Sequence, residues 1–158
     1  MKAAIVPSAN SKWEVKEIST PEAGENQVLI KIHASGMCYT DVHQTRGELP
    51  GDFPRTLGHE PVGEIVAVGR GVTTRKTGDR VGVPWVQHTC GRCEWCARSK
   101  PIFCEQGIGT GVQISGGHAE YMVAYADATM LLPNGARLRA NRAAFLRWLH
   151  RLVRIALG

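Results

Sequence analysis

Apolar and polar residues alternate with a period of two over most of the chain. The runs "KAAIV" (2–6), "KWEVKEI" (12–18), "QVLIKIHAS" (27–35), "EPVGEIVAVG" (60–69), "RVGVP" (80–84) and "HAEYMVAY" (118–125) each read as a short strand. Turns rich in Pro and Gly, such as "TPEAGEN", separate them, and many of the 18 glycines fall at their ends, where tight corners need them. This pattern predicts a mainly β domain, barrel-like or sandwich-like, with little helix. The end of the chain differs. From Ala143 the period becomes helical, with Phe145, Leu149, Leu152 and Ala156 on one side and Arg147, Arg151 and Arg154 on another.

Composition narrows the class. A chain of 158 residues, 43% hydrophobic and 21% charged, suits one domain that folds in water around one core. It has no apolar run long enough to span a membrane, and its first residues make too weak a secretory signal, so the expected compartment is the cytoplasm. Five cysteines, an odd number, argue against a disulfide framework there. The net charge of +5 comes from the tail, which has six arginines between Arg137 and Arg154 and no acid. The body is close to neutral. A phosphate-binding surface would need its cations on the fold itself, so no nucleic-acid partner is expected.

Four cysteines stand as Cys90-x2-Cys93-x2-Cys96-x7-Cys104. Close thiolate pairs of this kind suit a structural zinc, whose four soft ligands form a tetrahedron. An iron–sulfur cluster is the rival reading, and unrelated buried thiols or redox pairs are the plainer ones. Four thiolates would close the coordination sphere. The lobe at 90–104 is therefore expected to be support, and the chemistry must lie elsewhere.

The fifth cysteine, Cys38, lies in "GMCYTDVH" (36–43), and "GHE" (58–60) supplies His59 and Glu60. One Cys and one His at such a distance carry little weight alone. Together with Gly63, Gly69, Val72, "TGDRVGVPW" (77–85), "GGHAEY" (116–121) and the cysteine lobe, they resemble the zinc-containing alcohol dehydrogenases of the medium-chain dehydrogenase/reductase superfamily. The resemblance covers residues 1 to about 135. It implies a GroES-like, partly open β-barrel with a few short helices and a zinc-binding lobe. It further implies NAD(P)-linked oxidation of a small-molecule alcohol to an aldehyde or ketone, and it allows a homo-oligomer. By the same resemblance Cys38 and His59 are ligands of a catalytic zinc, with Glu60 beside the metal. Thr40 takes the substrate hydroxyl proton, His43 passes it on by way of the cofactor ribose, Asp41 orients His59, and Trp85 lines the substrate pocket. The physics suits these roles: an open zinc site acidifies an alcohol, hydroxyl and imidazole carry its proton, and nicotinamide takes the hydride.

The sequence departs from the family in several places. Tyr39 stands where many members have a basic residue near the cofactor pyrophosphate, and Leu49 lies near where several carry a pocket aromatic, which implies a substrate larger than ethanol. "GIGTGV" (107–112) misses the dinucleotide spacing and is expected to be a turn. No cysteine follows Cys104 to serve as a third catalytic ligand, and no Rossmann segment is evident. Shifted by one base with permitted codons, the text from Arg137 reads as a family-like segment that restores the missing cysteine. Residues 136–158 are accordingly expected to be an out-of-frame tail, and the chain an inactive fragment. The rival is a non-enzymatic zinc module whose basic amphipathic tail meets a membrane or a protein partner. A zinc-less quinone reductase relative is a third reading, disfavoured by the ligand cysteines.

Overall fold

The computed structural model describes residues 1–133. Its strands are β1 (Lys2–Val6), β2 (Glu14–Glu17), β3 (Gln27–Ser35), β4 (Arg55–Thr56), β5 (Pro61–Val68), β6 (Arg80–Gly82), β7 (Val86–His88), β8 (Ile108–Gly109), β9 (Tyr121–Tyr125) and β10 (Met130–Leu131). Two short helices, α1 (Tyr39–Thr45) and α2 (Glu94–Ala97), and two single 3-10 turns complete the set. All six runs that alternate in the sequence contain a strand. Residues 107–112 are in part a correction: Ile108–Gly109 pairs with β7, and only the residues after it turn. The tail readings, a helix from Ala143 and out-of-frame text from Arg137, lie outside the described residues.

Strands β10-β6-β5-β3-β9 form one antiparallel sheet, β2-β1-β4 a second and β7-β8 a third. The largest sheet ends at β10 and β9 without closing, so the arrangement is mainly β and open. Its buried face holds Val28 and Ile30 from β3, Ile65 from β5, Val81 from β6 and Met122 and Ala124 from β9, all at most 1% exposed. Alternation puts every second side chain of these strands on one face, which is why the two-residue period could be read at all.

The β3–β5 ladder positions the chemistry. Its register slips between Leu29 and Ile30 and again between Ile32 and Ala34, and it ends with Ser35 opposite Pro61. The loop leaving β3 and the loop entering β5 therefore start side by side. Cys38 lies on the first and His59 and Glu60 on the second. Gly36 N–H donates to the Glu60 carbonyl at 3.0 Å, holding the two loops together. Among the described residues no helix is long and apolar enough to cross a membrane.

Candidate metal centres

Helix α1 begins at Cys38, whose extended backbone makes it the N-cap. Asp41, in the first turn, turns its carboxylate back, and Oδ2 accepts Cys38 N–H at 2.8 Å. That is half of a capping box, and it fixes the backbone of the cysteine. Asp41 is 1% exposed. Its Oδ1 accepts Gly58 N–H at 3.1 Å and faces His59 Nδ1 at 3.8 Å. Burial alone would raise the carboxyl pKa. The neighbouring His118, the Cys38 N–H and the charge of the imidazoles outweigh it and hold Asp41 below its ordinary value.

Opposite Asp41, the other ring nitrogen of His59 faces Glu60 Oε1 at 3.7 Å. Cys38, His59 and Glu60 each offer one donor atom, and the three lie within 4.8 Å of one another. Burial lowers the pKa of His59 despite the pull of Asp41, which favours the neutral ring that a metal requires. Donors at about 2.0–2.3 Å from one ion stand about 3.3–3.8 Å apart, which the 3.7 Å between His59 Nε2 and Glu60 Oε1 matches, with the Cys38 sulfur within 4.8 Å. Gly36 makes room for the acid, since a Cβ there would sit 2.2 Å from Glu60 Oε2. The Trp85 ring meets His59 edge-on at 4.9 Å, and Thr40 Oγ1 is 3.5 Å from Cys38 Sγ.

His43 and Tyr39 lie further out on α1. Their rings meet edge to face at 4.9 Å, and His43 Nδ1 is bonded to the Glu48 carboxylate. Tyr39, Arg46 and Cys38 help line an open cleft of about 570 Å³ along the helix. Two residues here have roles that sequence reading did not assign. Glu48 holds His43, and the backbone turn that brings it back, with Glu48 N–H on the His43 carbonyl, had no motif to announce it. His118 sits inside the noted "GGHAEY", but its partner Asp41 is distant in the chain.

The cysteine lobe is built differently. Cys90, Cys93, Cys96 and Cys104 place four sulfurs within 4.8 Å of one another. Cys90 and Cys104 Sγ stand 3.6 Å apart, close to the about 3.8 Å edge of a zinc–thiolate tetrahedron. The four cysteines can hold zinc. Cys90 and Cys93 N–H groups point at sulfur, at 3.4 Å each. The N–H groups of Arg92 and Cys93 bring the Cys90 thiol down to about 6, whereas desolvation and hydrogen bonding to Cys93 push Cys96 up to about 11. Cys90 thus ionises more readily than Cys96, and a bound cation would favour the thiolate form.

Residues 24–134 match the family described as the alcohol dehydrogenase GroES-like domain. An alcohol dehydrogenase of Geobacillus stearothermophilus is 41% identical over 136 residues, 85% of this chain and 40% of its own. The chain thus spans about two-fifths of the curated relatives it matches. Among solved structures, a cobalt- and zinc-bound thermostable alcohol dehydrogenase from Pyrobaculum aerophilum superposes with a TM-score of 0.79 at 29% identity. That match covers 87% of this chain and 42% of that one. An NAD-dependent alcohol dehydrogenase superposes with a TM-score of 0.83 at 26% identity, covering 90% and 43%.

Proposed function

The chain belongs to the alcohol dehydrogenase GroES-like domain family, and from that membership we propose that residues 1–133 form the alcohol-handling part of a zinc-dependent, NAD(P)-linked alcohol dehydrogenase. The observation that carries this is the convergence of Cys38, His59 and Glu60 within 4.8 Å, beside Trp85. Zinc bound there would supply Lewis acidity, lowering the pKa of a substrate hydroxyl. Cys38 and His59 would hold the cation, with Glu60 beside it. Thr40, one turn of helix from His43, accepts the hydroxyl proton, and His43 passes it toward solvent. Glu48 keeps a proton on His43 Nδ1, leaving Nε2 as the base. Trp85 walls the substrate side and excludes water.

The substrate class is a small alcohol or the matching aldehyde or ketone. Every strand pair among the described residues is antiparallel, so the parallel crossover unit that usually cradles a dinucleotide is not formed by them. Tyr39 and His43 would face the cofactor, and Arg46, on the same cleft, offers the cation that Tyr39 does not. Residues 1–133 alone are expected to bind metal without oxidising alcohols.

The test is metal titration of the purified chain. One zinc per chain should resist dialysis and depend on the four lobe cysteines. A second, weaker site should vanish in Cys38→Ser and in His59→Gln while the first persists. A second site that survives Cys38→Ser, or none at all, would sink the proposal.

A further inference from the structure

His118 approaches the Asp41 carboxylate as closely as His59 does. Its Nε2 is 3.6 Å from Asp41 Oδ1, the oxygen that also faces His59 at 3.8 Å. The side chain is nine-tenths buried, and Nε2 has no hydrogen-bond partner. A buried ring nitrogen in that condition calls for an explanation. Packing provides part of one: the ring lies against Trp13 at 5.4 Å and covers Gly58, where a Cβ would come within 2.8 Å of it. Packing does not account for the nitrogen aimed at Asp41.

The backbone of His118 is fixed independently of its ring. Its N–H donates to the Leu57 carbonyl at 3.0 Å and its carbonyl accepts Ala4 N–H at 2.8 Å. The residue is thus pinned between β1 and the loop that carries His59. Asp41 Oδ2 is committed to Cys38 N–H and Oδ1 to Gly58 N–H. One oxygen therefore stands between two imidazoles, each a few tenths of an ångström beyond a hydrogen bond. When His59 gives one nitrogen to a metal, the other must carry the proton, and Asp41 is the acceptor in reach.

We propose that His118 is a positioning residue, which holds Asp41 against His59 and so tightens metal binding at Cys38, His59 and Glu60. This rests on reading that trio as a metal site. His118 touches neither metal nor substrate. It acts through the carboxylate, and the feature that matters is the Nε2–H donor rather than the flat ring.

The experiment uses the full chain with zinc filling the lobe, and titrates cobalt(II) into the second site, following the thiolate-to-cobalt absorption. His118→Phe keeps the packing on Trp13 and Gly58 and removes the donor; its cobalt affinity should fall by about tenfold or more. His118→Gln returns a donor at similar reach and should stay within about threefold of the parent. Lobe zinc content and unfolding midpoint report on the fold of both. Parent-like affinity in His118→Phe overturns the inference and leaves the metal reading intact. An equal loss in both variants also overturns it, by assigning the effect to the ring. A parent chain that takes no cobalt at the trio overturns both.

Discussion

The two candidate metal sites are made in opposite ways. The lobe draws all four donors from Cys90 to Cys104, a stretch with one short helix and little else to hold it. The other site takes Cys38 from a helix cap and His59 and Glu60 from a loop, brought together where the β3–β5 ladder ends. In the lobe a metal would organise the chain. At the second site the chain organises the donors, and carboxylate, glycine and tryptophan are fitted around them. A four-sulfur clip leaves no vacancy for a reactant, whereas a mixed trio next to an aromatic wall does.

The sharpest way to break this contrast is to remove the lobe's metal. Structural zinc contributes about 10–16 kcal/mol of apparent binding energy in small peptides. Cys96→Ser should therefore abolish lobe zinc and strip hydrogen-exchange protection from α2 and its flanks. The β3–β5 amides should keep theirs. Loss of protection throughout would mean that the lobe is not a separate clip.

A smaller effect is expected at Gly58, which has φ +97°. Gly58→Ala should cost about 1–3 kcal/mol for the backbone alone, with the collision against His118 in addition. Its unfolding midpoint should drop by several degrees and the second metal site should weaken, with lobe zinc unchanged. Equal weakening of both sites would blur the distinction.

The smallest effect concerns protons in the metal-free chain. His59 is less basic folded than unfolded, because burial opposes its charge. The unfolded state then binds more protons than the folded one at pH values just below the ordinary histidine pKa of about 6.5. Stability should fall as pH drops from neutrality through that value, as followed by urea unfolding, and His59→Gln should flatten the slope. A slope of opposite sign would mean that Asp41 dominates and that His59 is charged in the fold.

Much of this was legible in the sequence, for physical reasons. A period of two survives in Val28, Ile30 and Ile65 because one face of their sheet is dry, and thiols at ligand spacing leave few alternatives. Other features leave no trace of that kind. Strands of two or three residues, such as β4, β8 and β10, are too short for any period. Helix α1, at seven residues, shows no apolar stripe and is announced only by the Cys38–Asp41 cap. His118 opens the alternating run 118–125, and nothing local tells a buried imidazole which distant carboxylate it will meet.

The different construction of the two sites also sets their order of assembly. Closing the span from Cys90 to Cys104 needs only a short loop, a step of roughly 10–100 ns in free chains. The trio must wait for β3 and β5 to dock, and longer closures are entropically slower. During refolding with zinc present, the lobe should capture its ion first, and stopped-flow chelator competition would show two phases. The early ion would then be a folding nucleus for its own loop, and the later one a report that the sheet has found its register.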